Sequence, residues 1–191
     1  KIYSIPEEAV ADQIEAILDD IFPSAIKIGM VHTPQLVDVI TNTLNKYDKV
    51  PVVFDPVMVA TSGHRLIEEE TITAIVQKLF PLADVITPNM DEASILANMQ
   101  VKTLDDMYTA GEKILNLGCK SILLKGGHQE TDMITSLYFD GSGKISSFET
   151  EKFQTNNTHG SGCTLSSAIA AYLAQGKNLS DAVLLGQQYV F

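Results

Sequence analysis

Apolar positions in this chain follow two periods, and the periods alternate along it. Val10, Ile14, Ile17, Leu18 and Ile21 recur at helical spacing, which predicts a helix with that face turned inward. Ser4-Ile5-Pro6-Glu7 ahead of it reads as a capping box with proline in the first turn. The short apolar run over 25–30 predicts a buried strand. Thr33-Pro34 opens a second helix, carrying Leu36, Val37, Ile40 and Leu44. Residues 50–54 predict a second strand, ending at Asp55-Pro56, and a loop follows over 57–65. A helix over 69–80 should turn Ile72, Ile75, Val76 and Leu79 inward. A strand is expected over 83–87, a short helix over 89–98 and a longer one over 103–117, stopped by Gly118. A fourth strand over 121–124 ends in Lys125-Gly126-Gly127. Segments 135–139 and 144–148 flank Asp140-Gly141-Ser142-Gly143, the pattern of a hairpin. A long apolar helix over 160–175 is closed by Gly176, and a last helix starts near Ser180.

Strands separated by helices need crossover connections, so the first four strands should be parallel. The handedness of such crossovers predicts an open α/β sheet with helices on both faces. The 191 residues are consistent with one domain over 1–191. At 45 % hydrophobic, the chain can bury a sizeable core. The net charge of −11 argues against nucleic acid, which demands a basic face to displace counterions. No apolar run reaches membrane-spanning length. The two cysteines, Cys119 and Cys163, form neither a disulfide framework nor a metal-ligand spacing, which fits a reducing cytoplasm. The chain starts at Lys1 without an initiator Met and stops at Phe191 inside an apolar run, as expected of a fragment cut at both ends.

The candidate chemistry lies where ligands gather in open parallel sheets, at the carboxyl ends of the strands. Those ends carry Gly29-Met30, Asp55-Pro56-Val57-Met58, Thr87-Pro88-Asn89 and Lys125-Gly126-Gly127. The most informative stretch is Thr158-His159-Gly160-Ser161-Gly162-Cys163-Thr164-Leu165. A Gly-x-Gly bend before a helix points N–H groups at one place, and the helix start adds partial positive charge. That combination is an anion cradle suited to phosphate, although a tight turn before a packed helix needs the same glycines. Cys163 within it is either an inert thiol or a group with a chemical role. Lys125 either neutralises a phosphate or snorkels from a strand end. Gly126-Gly127 would let a ligand approach the backbone. Asn89 with Glu92 fits a capping box, and equally a sparse magnesium site. Asp55 either orients metal-bound water or caps the next loop. His64 and His32 read as bystanders, and Cys119 as a small core residue.

Together these residues resemble the bacterial hydroxymethylpyrimidine/phosphomethylpyrimidine kinases. The signature is Thr158 to Ala170, supported in order and spacing by Lys27-Ile28-Gly29-Met30, Asp55 to Ala60, Thr87-Pro88-Asn89 with Glu92-Ala93, and Lys125-Gly126-Gly127. The resemblance covers essentially the whole chain, and some pieces are shared with pyridoxal kinases and other ribokinase-like proteins. It implies a three-layer α/β/α ribokinase-like fold with a mostly parallel sheet, here lacking its N-terminal strands. It also implies ATP-dependent phosphorylation of a hydroxymethylpyrimidine and then of its monophosphate, in thiamine synthesis. On that resemblance Gly160, Ser161, Gly162 and the Cys163 amide bind the phosphoryl in transfer. Cys163 stands where most ribokinase-like kinases carry an aspartate base. Lys125 and Thr158 serve the nucleotide, with Asn89. Glu92 and Asp55 serve Mg2+. Gly29, Met30 and Val57 meet the pyrimidine ring.

The chain departs from the family at Thr61 and Asn156, where lysines are usual, and mildly at Ser161, where threonine is usual. The resemblance implies a homodimer. A pyridoxal kinase of the same branch and a non-catalytic pyrimidine- or vitamin-binding sensor are the alternative readings.

Overall fold

The computed structural model describes residues 5–59, 66–126, 133–151 and 160–190. The element order is α1 (Glu7–Asp20), β1 (Ile26–Ile28), α2 (Pro34–Leu44), β2 (Val52–Phe54), α3 (Glu69–Ala74), β3 (Val85–Ile86), α4 (Met90–Ala97), α5 (Leu104–Leu115), β4 (Ile122–Leu124), β5 (Met133–Phe139), β6 (Ile145–Glu151), α6 (Ser161–Ala174) and α7 (Leu179–Val190). Helix α3 runs on through a π-helical turn, Ile75–Leu79. The expected helix over 69–80 is therefore present, with its last part wound one residue wider.

Six strands form one sheet in the order β1-β2-β3-β4-β5-β6. The first four pair in parallel, as their helical crossovers require. Strands β5 and β6 are antiparallel and joined through Asp140–Lys144. Asp140 Oδ1 accepts from the Ser142 and Lys144 amides, and Gly143 takes φ +88°, so this turn rests on its own polar atoms.

Alternation along the strands feeds two cores. Val52, Phe54, Ile86, Ile122, Leu124, Leu137 and Phe139 face α2 to α5. Val53, Val85, Leu123 and Tyr138 face α6 and α7. Both faces are covered, but not by alternating crossovers. Strand order advances in one direction only, so crossovers of one hand all fall on the same face. The opposite face is left to α6 and α7, which follow the hairpin.

Packing corrects the expected inward face of α1. Ile17 and Ile21 are 59 % and 71 % exposed, whereas Leu18 is buried. Helix α1 packs chiefly on α2, so only part of its apolar stripe is covered. Helix α1 begins at Glu7 after Pro6, and the Ser4 end of the expected capping box lies outside the described residues. Gly126 also has a structural reason within the sheet. A Cβ there would lie 2.0 Å from the Thr135 carbonyl oxygen of β5.

Candidate active site

The carboxyl ends of β2, β3 and β4 meet the amino end of α6, and the polar side chains of the site converge there. The polypeptide supplies each from a short local device. Asn89 caps α4: its Oδ1 accepts from the Glu92 amide at 2.8 Å, while Glu92 Oε2 accepts from the Asn89 amide at 2.8 Å. This is the reciprocal capping box that the Asn-x-x-Glu spacing predicts. Glu92 Oε1 also faces the Met58 amide at 3.4 Å. Lys125 ends β4, its amide donates to the Pro88 carbonyl, and it bridges to Asn89 in parallel register.

Asp55 is buried at the end of β2. Its Oδ1 accepts from Lys125 Nζ at 3.0 Å and from Thr87 Oγ1 at 2.9 Å. Its Oδ2 faces Ser166 Oγ at 3.3 Å, one turn into α6. Thus the ends of β3 and β4 and helix α6 each place one polar group at the carboxylate that ends β2. The ion pair is largely desolvated, with the Lys125 side chain 14 % and that of Asp55 2 % exposed.

Helix α6 starts from Gly160 at φ +86°. Only glycine adopts that bend without strain, and no side chain at 160 caps the first-turn amides. A Cβ on Gly162 would stand 3.0 Å from Lys125 Nζ. The lysine ammonium and the helix start therefore face the same small volume, which suits a phosphate. Cys163 is exposed beside it.

Burial pushes the Glu92 carboxyl up to about 7, opposed by Lys125 and the Asn89 amide, and reinforced by Asp55. Among the described residues, no cluster of three or more His, Cys, Asp or Glu could hold a metal. The oxygens of Glu92 and Asp55 already meet protein donors. They fit a magnesium ion that keeps its own waters better than a protein cage.

Of the other expected site residues, Gly29 and exposed Met30 lie at the carboxyl end of β1, and half-buried Val57 lies just past β2. The Asp55 amide donates to the Ile28 carbonyl and so joins these two strand ends. Thr158, Thr61, Asn156, His64 and Gly127 lie outside the described residues. Sequence reasoning assigned no role to Ser166, Thr87 or Lys27. Lys27 alternates with Ile26 and Ile28, which pack into the core facing α2 to α5, so it faces the α6 side. A Cβ on Gly29 would lie 2.9 Å from its Nζ. A lysine in the middle of an apolar strand was the signal for it.

A hollow of about 560 Å³ lies elsewhere among the described residues. It lies at the amino ends of the strands, between Leu18, Ile26, Tyr47, Pro51 and Lys120. Strand polarity places it across the sheet from the cradle.

The family model described as phosphomethylpyrimidine kinase matches residues 1–191. The hydroxymethylpyrimidine/phosphomethylpyrimidine kinase of Staphylococcus aureus is 36 % identical over 191 residues, covering 99 % of this chain and 69 % of that protein. A bifunctional thiamine biosynthesis protein of Geobacter sulfurreducens is 37 % identical over 189 residues, covering 99 % of this chain and 38 % of its own. A crystal structure of phosphomethylpyrimidine kinase from Clostridium difficile superposes with TM-score 0.85 at 36 % identity, over 100 % of this chain and 77 % of that one. The pyridoxal kinase of Bacillus subtilis, solved as an ADP complex, gives 0.91 at 34 %, over 98 % and 71 %. Sequence and ribokinase-like fold agree, and the chain belongs to the phosphomethylpyrimidine kinase family.

Proposed function

We propose that this protein transfers a phosphoryl group from MgATP to the hydroxymethyl group of a hydroxymethylpyrimidine, and then to the resulting monophosphate. The observation that carries this reading is Lys125 Nζ set against Gly162 at the start of α6. A cation and a helix amino end sharing one volume are what a phosphoryl in transfer requires, because positioning and charge neutralisation dominate that chemistry.

Gly160, Ser161, Gly162 and the Cys163 amide hold the transferred group. Lys125 binds nucleotide phosphate oxygens, with Asn89 and Thr158 beside the nucleotide. Glu92 holds magnesium-bound water. Gly29, Met30 and Val57 offer an apolar wall to the ring. MgATP supplies the phosphoryl group, which leaves ADP as the acceptor oxygen bonds to phosphorus. Cys163 orients the acceptor hydroxyl or takes its proton.

A second reading has specific support. The Bacillus subtilis pyridoxal kinase superposes closely, and its substrate name indicates another aromatic ring. ADP release by the full-length protein should be measured with hydroxymethylpyrimidine, its monophosphate and pyridoxal in parallel. Faster turnover of the pyrimidines supports the first reading. Faster turnover of pyridoxal replaces it with the second. Binding of either ring without ADP release would identify a sensor. A homodimer in the cytoplasm completes the proposal. Among the described residues, no helix is long and apolar enough to cross a membrane. Light scattering of the full-length protein tests the dimer.

A further inference from the structure

We infer that Asp55 is a positioning residue for Lys125, and that Ser166 is the latch that couples this pair to the amino end of α6. The notion of Asp55 as a metal ligand leaves its surroundings unexplained. Three donors from three other elements converge on it: Lys125 Nζ at 3.0 Å, Thr87 Oγ1 at 2.9 Å and Ser166 Oγ at 3.3 Å. The first two share Oδ1, and the third takes Oδ2. The carboxylate is thereby fixed in orientation, and it fixes the ammonium in turn.

Ser166 is fully buried and has competing acceptors. Its Oγ lies 3.1 Å from the Gly162 carbonyl and 3.1 Å from the Cys163 carbonyl, within its own helix. A serine in a helix interior commonly donates to such a carbonyl. Here the single hydroxyl proton is shared between those two carbonyls and the carboxylate, whose charge draws it despite the longer 3.3 Å contact. The carbonyls Ser166 touches belong to the cradle residues themselves. One side chain thus contacts the carboxylate that holds Lys125 and the turn that presents the amides. The separation between the ammonium and the helix start is set by this junction, not by the flexible lysine stem alone.

The nucleotide arm of the test rests on the kinase reading, and the ligand-free arm does not. In full-length protein without ligand, the 1H–15N correlation of the Lys125 ammonium should be visible, because the group is held. It should vanish in Asp55→Asn and broaden in Ser166→Ala and Ser166→Cys, with thermal melts confirming that each variant is folded. In calorimetry with ADP at saturating Mg2+, Ser166→Ala should weaken binding about three- to tenfold, and add nothing in a Lys125→Ala background, as residues in one network behave. The half-saturating Mg2+ concentration should stay within about twofold of wild type, since no ligand of the ion has been removed.

The inference is overturned if the Lys125 signal is the same in all four proteins. It is equally overturned if the Ser166→Ala loss persists in full without Lys125. A large rise in the Mg2+ requirement of Asp55→Asn, with the Lys125 signal intact, would make Asp55 a metal ligand instead. Should wild-type protein bind no ADP while the ammonium signal follows the expected order, the kinase reading falls and the positioning role stands.

Discussion

Lys125 Nζ lies 3.0 Å from the point that a Cβ on Gly162 would occupy. The two residues are 37 positions apart in sequence (162 − 125) and meet only because β4 ends where α6 begins. The backbone of Gly162 is helical and not in the left-handed region. Its lack of a side chain therefore serves the space in front of the helix rather than a strained turn.

Gly162→Ala should keep or raise stability, because alanine in a helix is favoured over glycine by up to about 1 kcal/mol. Nucleotide turnover should nonetheless fall by roughly 10²-fold, the scale of losing one anion-hole contact. Thermal melting and steady-state rates separate the two effects. Undiminished turnover would show that the cradle is not where phosphate sits.

The two cysteines should differ sharply. Cys119 is buried, its thiol is pushed up to about 12 by burial, and its Sγ lies 3.3 Å from the Ile114 carbonyl. Cys163 is exposed at the start of α6. Iodoacetamide on native protein should add one label, at Cys163, as mass spectrometry of peptides would show. Bound ADP should slow it. Cys163→Ala should lower turnover on the order of tenfold or more, with little change in ATP affinity, if the thiol handles the proton. Equal turnover would remove the thiol from the chemistry.

Glu92 sets a pH dependence of stability. Its folded-state value is raised from 4.5 to about 7, chiefly by burial. The folded protein therefore holds a proton that the unfolded chain has released between those values. Stability is highest below pH 4.5 on this account and falls as pH rises toward 7, by on the order of 3 kcal/mol. Glu92→Gln cannot ionise and should flatten that slope. Urea titrations across the window test it, and a slope unchanged in the variant would refute the assignment.

Gly126→Ala should be among the most damaging single changes. The added carbon would sit 2.0 Å from the Thr135 carbonyl oxygen, and backbone in mid-sheet has little room to yield. A loss of about 3 kcal/mol is expected from such overpacking. Chemical denaturation measures it. A midpoint like that of wild type would show that β5 can move away from β4.

The alternation of the two hydrophobic periods determined the order of helices and strands, because each element must bury one face and each face has its own spacing. Thr33-Pro34, Asn89 with Glu92 and Asp140–Gly143 were legible for the same reason: capping and turn chemistry acts over three or four residues. The rim of polar strand ends and the Gly160–Cys163 cradle followed from parallel pairing and from glycine's freedom to bend.

Tertiary structure alone decided the rest. Only one strand direction and one sheet order bring Asp55 to Lys125 and Ser166, residues 70 and 111 positions away. Nothing in the local sequence marks Ser166 as different from any other small helical residue. The exposure of Ile17 and Ile21 likewise depends on what packs beside α1, and helical spacing cannot report that. The clearance that Gly126 leaves for the neighbouring strand is visible only in the assembled sheet. Local periodicity specifies which groups turn inward, but a buried charge acquires its partners only from the whole fold, because desolvation and hydrogen bonding are properties of the assembled interior.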